Sequence, residues 1–123
     1  MDYTQQQVGR ASAILTTSEV AGNALKLERC KDKQITVDFS FTIGSLTNVT
    51  VYFYVSMDNS TYDPVYALDG SLLQHVLTAS TEACWTLPRL AGWKWFRMAV
   101  KGAGTATSSL CDYTYRYDLP GSE

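Results

Sequence analysis

The stretch ITVDFSFTI, residues 35 to 43, alternates strictly between apolar and polar side chains. Successive side chains of a β-strand point to opposite faces of the sheet. This alternation therefore predicts a strand with one face in a core and the other toward solvent. The apolar positions are Ile35, Val37, Phe39, Phe41 and Ile43, and Gly44-Ser45 ends the run.

The next run, NVTVYFYVSM at residues 48 to 57, keeps the same period of two. One face is apolar throughout, whereas the other carries Tyr52 and Tyr54 among hydroxyl-bearing residues. The run predicts a second strand whose outward face is aromatic. Asp58-Asn59-Ser60 then predicts a turn, because short polar side chains bond to the nearby backbone.

Shorter runs predict further strands, and turn residues separate them. They are NALKLERC (residues 23 to 30), TYDPVYAL (61 to 68), SLLQHVLTA (71 to 79) and ACWTLP (83 to 88). In residues 93 to 117, two alternating runs flank Gly102-Ala103-Gly104. Because glycine accepts the positive φ of a tight loop, we expect a hairpin there.

These elements predict an all-β fold. About seven to nine short strands without an amphipathic helix are typical of an antiparallel β-sandwich or barrel, and we expect a single jelly-roll-like sandwich domain. Residues 21–119 would form the domain, residues 1–20 an N-terminal arm or extra strand, and residues 120–123 a tail. At 123 residues the chain is long enough for one core.

Composition argues against several classes of partner. The net charge is −2, and the 10 Lys and Arg residues are scattered, so we expect no nucleic-acid binding. The sequence has no run of about 18 apolar residues, so we expect no membrane span. The N-terminus lacks the basic and apolar regions of a signal peptide, which favours synthesis in a cytoplasm. Cys30, Cys84 and Cys111 then suit a reducing compartment better than a disulfide framework.

Candidate catalytic groups are sparse. The only histidine, His75, lies on a mostly apolar face, where a core or interface role is favoured over that of a base. No nucleophile or nucleotide-binding motif occurs, so we expect neither an enzyme nor a cofactor. The loop from Asp58 to Asp63 has oxygen ligands for a cation, although turn formation alone explains its composition.

Aromatic residues are the main functional signal. Phe39, Phe41, Phe53, Phe96 and Trp85 are expected in the core. For the tyrosines and the other tryptophans three interpretations stay open: core, a stacking platform for sugars or bases, and a protein interface. A solvated tyrosine ladder is uncommon, so coverage by a partner is favoured. The candidate interface residues are Tyr3, Tyr52, Tyr54, Trp93, Trp95, Tyr113, Tyr115 and Tyr117.

Two stretches carry a resemblance to a known group of proteins. VSMDNSTYDPVY, residues 55 to 66, resembles a strand–turn–strand of discoidin-like jelly rolls. WKWFRMAVKGAGTATSSLCDYTYRY, residues 93 to 117, resembles the closing hairpin of small β-sandwich virion proteins of tailed bacteriophages. The resemblance covers about residues 35 to 117 and describes a fold rather than a site.

The resemblance implies a non-enzymatic virion structural protein. A capsid decoration (cement) protein that binds the major capsid protein is the favoured role, and a neck or tail component is an alternative. We expect a homo-oligomer, with a trimer preferred for a capsid three-fold position. The third possibility is a carbohydrate-binding or adhesion module, although no ligand-loop motif of the sugar-binding discoidin proteins is present.

Overall fold

A computed structural model describes residues 4–105 and 108–120, and these form an antiparallel β-sandwich of ten strands. The strands are β1 (Thr4–Ile14), β2 (Val20–Ala21), β3 (Leu25–Lys26), β4 (Thr36–Thr42), β5 (Leu46–Ser56), β6 (Tyr62–Pro64), β7 (Gln74–Leu77), β8 (Thr81–Thr86), β9 (Trp95–Gly104) and β10 (Leu110–Asp118).

The ten strands form two sheets. Sheet I has the order β1-β10-β4-β8. In sheet II, β9 and β5 are central, β2 and β3 pair with the outer side of β9, and β6 and β7 pair with β5. The predicted all-β sandwich is confirmed. The strand predicted in residues 23 to 30 is mostly wrong, because β3 has two residues and 3-10 turns follow at Leu27–Arg29 and Lys31–Lys33.

The predicted hairpin of residues 93 to 117 is also wrong. Its two strands lie in different sheets, since β9 pairs with β5 whereas β10 pairs with β4 and β1. Their apolar faces therefore meet across the core instead of lying side by side. Phe96 from β9 and Tyr115 from β10 are both fully buried, and their rings meet edge to face at 5.3 Å. Gly102-Ala103-Gly104, expected as the hairpin loop, instead forms the end of β9 and pairs with β5, and the chain crosses to the other sheet after it.

Residues 4–14, within the segment expected as an arm or extra strand, form the edge strand β1. It pairs with β10 from Thr4 opposite Asp118 to Ile14 opposite Leu110, with register shifts after Val8 and after Arg10. A side chain at Gly9 would place its Cβ 2.5 Å from the Tyr113 ring. Glycine is thus required where the irregular strand crosses a core aromatic.

The interface prediction is wrong for the tyrosines of β10. Tyr113 and Tyr115 are 0% exposed and Tyr117 is 9% exposed, so all three are core residues. The predicted face of β10 was right, but the opposite sheet of the same chain covers it. Phe39, Phe41, Phe53 and Phe96 are buried as predicted, and Trp85 packs against the core.

Two tyrosine hydroxyls complete the hydrogen bonding of β9 across the core. β2 pairs with Val100 and Ala99, and β3 pairs with Phe96 and Trp95, so the Met98 N–H between them receives no backbone partner from these strands. The Met98 N–H donates to the Tyr115 hydroxyl at 3.2 Å, and that hydroxyl donates to the Asn23 carbonyl at 2.9 Å. The Tyr113 hydroxyl donates to the Met98 carbonyl at 3.2 Å. Buried backbone groups need such partners.

The side of the sandwich formed by β7 and β8 is closed by a ring stack. The His75 ring lies parallel to the Trp85 ring at 4.3 Å and meets Phe53 edge-on at 5.7 Å. His75 and Trp85 are both half-buried. Burial lowers the pKa of His75 below its usual 6.5. His75 therefore has a structural position between the sheets, as its apolar face predicted.

The first prediction concerns the hydroxyl bridge. Tyr115→Phe leaves the Met98 N–H and the Asn23 carbonyl without this partner, so we expect a loss of about 1–3 kcal/mol in unfolding free energy. Tyr113→Phe is the matched control, because the Met98 carbonyl still accepts from the Gly22 N–H at 2.8 Å. Urea unfolding measures both variants. Equal losses would contradict the bridging role of Tyr115.

The second prediction concerns pH. Because the folded chain lowers the His75 pKa, the unfolded chain binds a proton more readily as the pH falls below 6.5. Stability should be complete above that value and decrease as the pH falls toward the folded pKa. Urea midpoints at pH 7.5 and at about pH 5 measure the decrease. His75→Gln should remove this part of the pH dependence, and an unchanged slope in the variant would refute it.

Candidate interaction face

The outer face of sheet II gathers aromatic and cationic side chains. The inward side chains of β5 and β9 include Phe53, Val55, Phe96 and Met98, so the residues between them point outward. Strand register places the outward residues side by side across β3, β9, β5 and β6. We name this set the Arg97 face: Lys26, Tyr52, Tyr54, Tyr62, Trp95, Arg97 and Lys101.

Arg97 is the central residue of the face. It lies opposite Tyr54 in the ladder, and its guanidinium Cζ is 3.8 Å from the centre of the Tyr62 ring. The Nε atom is buried and has no hydrogen-bond partner among the described residues. A buried donor without an acceptor is rare in native proteins and requires an explanation. The Arg97 side chain as a whole is half-buried, so the cation remains accessible to a partner from outside the chain.

The aromatic side chains around Arg97 are held in place by polar contacts. The Tyr54 hydroxyl donates to Glu19 Oε1 at 3.0 Å, and the Tyr52 and Tyr54 rings lie 6.3 Å apart. Burial, together with the bond to Glu19, raises the pKa of Tyr54 to about 12. The Lys26 ammonium lies 5.4 Å from the centre of the Trp95 ring. The Tyr54 hydroxyl is therefore neutral at neutral pH, and the cations of the face are Lys26, Arg97 and Lys101.

The predicted interface residues divide into four groups. Tyr52, Tyr54 and Trp95 lie together on the Arg97 face. Trp93 lies at one end of the sandwich, where it lines a cavity of about 290 Å³ with Tyr66. Tyr113, Tyr115 and Tyr117 are core residues. Tyr3 lies outside the described residues.

Sequence reasoning missed Arg97, Lys101, Tyr62 and Lys26 as members of this face. One signal was available for Arg97, because alternation already aligns it with Trp95 on β9. Tyr62 and Lys26 lie on the face only because β6 pairs with β5 and β3 pairs with β9. Such long-range pairing has no local sequence pattern.

The opposite, outer face of sheet I is polar and acidic. Arg116 holds Asp38 through two bonds, Nε to Oδ2 at 2.5 Å and Nη2 to Oδ1 at 3.0 Å. The hydrogen bond from Arg116 lowers the pKa of Asp38. Beside this pair is a groove of about 390 Å³ whose lining includes Ser40, Glu82, Asp112 and Thr114. We name it the acidic groove.

The loop considered for a cation is organised as a turn. Asp58 Oδ1 accepts hydrogen bonds from the N–H groups of Ser60 and Thr61 and from the Ser56 hydroxyl. These bonds lower the pKa of Asp58, the bond from Thr61 contributing most. No group of three His, Cys, Asp or Glu side chains in residues 4–105 and 108–120 is arranged to hold a metal ion.

The cysteines show little sign of nucleophilic activation. Burial raises the pKa of the Cys30 and Cys111 thiols to about 12, so both are protonated at neutral pH. Cys84 is exposed on sheet I and accepts a contact from Arg116 Nη2 at 3.3 Å. Across the described chain the helical segments are single 3-10 turns, and none is long and apolar enough to cross a membrane.

Comparison with solved structures supports the fold. A protein of Bacillus endospore appendages, described as a novel family of disulfide-linked pili, is 15% identical, with 97% of this chain and 91% of that chain covered and a TM-score of 0.56. The SPBc2 prophage-derived protein YomS is 18% identical, with 94% of each chain covered and a TM-score of 0.59. No protein-family model and no curated protein matches the chain by sequence. These likenesses show a shared β-sandwich fold.

The third prediction compares arginines on the two faces. Arg97→Met removes a desolvated donor that costs about 1–3 kcal/mol, against a cation–π contact worth about 0.5–1 kcal/mol. We therefore expect unchanged or higher stability. Arg116→Met is the matched control and should lose up to about 1 kcal/mol, because it breaks a partly exposed ion pair. Urea unfolding distinguishes them, and a larger loss for Arg97→Met would mean that Arg97 serves the fold.

Proposed function

We propose that this chain is a non-enzymatic structural protein of a bacteriophage particle, and that it binds neighbouring virion subunits through the Arg97 face. A capsid decoration protein is the specific role we favour, with a neck or tail position as the alternative. The observation that carries the proposal is Arg97, a cation held against the Tyr62 ring with a buried Nε that lacks an acceptor.

The composition of the Arg97 face supports a protein partner. Tyrosine, tryptophan and arginine are enriched among the residues that dominate binding energy at protein interfaces. Tyr54 and Trp95 are half-buried within the chain, and polar or cationic neighbours hold their rings. Side chains that are ordered before binding lose less conformational entropy when a partner covers them.

The shared fold gives further support for an assembly role. One of the similar structures is prophage-derived and the other comes from pili. A fold alone does not imply a function, so the proposal rests on the face rather than on these likenesses. The non-enzymatic part of the proposal is supported by His75, whose ring is stacked on Trp85 between the two sheets. The trimer expected from sequence stays a prediction.

A carbohydrate-binding role is the second candidate, and one specific observation favours it. Trp93 and the largely exposed Tyr66 lie at the same end cavity of about 290 Å³. Aromatic rings at a cavity can stack on sugar rings. This candidate uses a different part of the surface, so Trp93→Ala and Arg97→Gln discriminate between the two functions.

The fourth prediction tests the virion role. Particles purified from cells that carry the gene should contain the wild-type protein in a constant ratio to the major capsid protein, as measured by quantitative mass spectrometry. Arg97→Gln should reduce this ratio at least about tenfold, equivalent to about 1.4 kcal/mol of binding energy, because the incoming acceptor loses its charged donor. Trp93→Ala is the control and should leave the ratio unchanged.

Two results would contradict the proposal. The first is absence of the wild-type protein from purified particles. The second is retention of Arg97→Gln together with loss of Trp93→Ala, with both variants folded by circular dichroism. A glycan-array signal that disappears in Trp93→Ala would then support carbohydrate binding.

A further inference from the structure

We propose that one partner of the Arg97 face is a second copy of this chain, which docks its acidic groove on that face. This inference rests on the assembly role proposed above and names the partner. The two surfaces belong to the outer faces of different sheets, so each copy carries both halves of the contact.

The Arg97 face carries two positive charges that form no ion pair within the described chain. Lys101 lies four residues after Arg97 on β9, with the same outward direction, and its side chain is exposed. The nearby carboxylates are directed to other partners, since Glu19 accepts a hydrogen bond from Tyr54 and Glu28 lies 4.0 Å from Lys26. Arg97 and Lys101 can therefore each pair with an external anion.

The acidic groove carries two negative charges that likewise form no ion pair within the described chain. Register places Glu82, Ser40 and Asp112 side by side on β8, β4 and β10. Asp38, the third carboxylate of the groove, is neutralised by Arg116. No Lys or Arg is among the residues that line the groove. Glu82 and Asp112 are therefore charged groups on an otherwise neutral polar surface.

The spacing of the two pairs is compatible. Glu82 and Asp112 are two strands apart, or about 10 Å at the usual spacing of about 4.8 Å. Arg97 and Lys101 are four residues apart along one strand, or about 13 Å. Long side chains can bridge the difference of about 3 Å. Because one pair runs across strands and the other along a strand, the strands of the two copies should cross at a large angle, as in orthogonal sheet packing.

The geometry also sets the form of the assembly and its strength. A contact between opposite faces repeats from copy to copy, which gives an open stack rather than the closed trimer expected from sequence. Four strands of about six residues cover about 20 by 20 Å. This area is smaller than the roughly 800 Å² per partner of a standard stable interface. We therefore expect weak, salt-sensitive association in solution.

Sedimentation velocity over a range of concentrations tests the inference as a fifth prediction. At low salt the average mass of the wild-type protein should rise with concentration, and about 0.5 M salt should reverse the rise. Lys101→Glu and Glu82→Lys should each weaken association about tenfold or more, because each places like charges across the contact. An equal mixture of the two variants should associate again, because the altered face of one then pairs with the altered groove of the other, and the unaltered face with the unaltered groove.

Arg89→Glu provides the matched control. Arg89 is exposed between β8 and β9, and this variant has the same net charge as Lys101→Glu. It should associate like the wild type. Three results would overturn the inference: a monomer at every concentration at low salt, a Glu82→Lys variant that associates normally, or a closed trimer insensitive to either charge reversal. If the wild-type protein still enters particles in the fourth test, the virion role would stand and only the self-stacking would be excluded.

Discussion

The Tyr115 hydroxyl bridge is the interaction on which the rest of the sandwich depends. From sheet I, the Tyr115 hydroxyl reaches across the core, accepts from the Met98 N–H of β9 and donates to the Asn23 carbonyl between β2 and β3. The same contact joins the two sheets and fills the centre of the core with an aromatic ring. It also restricts the neighbouring chain, because a side chain at Gly9 would collide with the Tyr113 ring beside it. Packing and backbone hydrogen bonding are therefore coupled at one position.

This arrangement divides the aromatic residues between two roles. β10 directs its tyrosines inward, whereas β5, β6 and β9 leave Tyr52, Tyr54, Tyr62 and Trp95 on the outer face of sheet II. The small net charge of −2 conceals unpaired charges of opposite sign, with Arg97 and Lys101 on the outer face of sheet II and Glu82 and Asp112 on that of sheet I. Arg97 connects fold and function, since the fold holds its guanidinium on Tyr62 and leaves the Nε without an acceptor. A residue placed for binding often contributes little to stability.

Much of the fold follows from the sequence, and the reasons for the failures are physical. Alternation located β4 and β5 because a half-buried strand has a side-chain period of two. It could not show which strands pair, so Gly102 and Gly104 suggested a hairpin loop, whereas they pair with β5 at the end of β9 before the chain crosses between sheets. Alternation also identified the tyrosine face of β10 without showing what covers it. The Arg97 face was visible only in part, because Tyr62 and Lys26 reach it through long-range register.

The most direct test of this account is hydroxyl-radical footprinting of aromatic side chains, read by mass spectrometry, on the dilute protein and on the assembled particle. We expect Tyr113 and Tyr115 to be protected in both samples. Tyr54 and Trp95 should react in the dilute protein and become protected in the particle, while the exposed Tyr66 stays reactive in both. Equal reactivity of Tyr54 and Trp95 in the two samples, or modification of Tyr115 in the folded protein, would contradict the account.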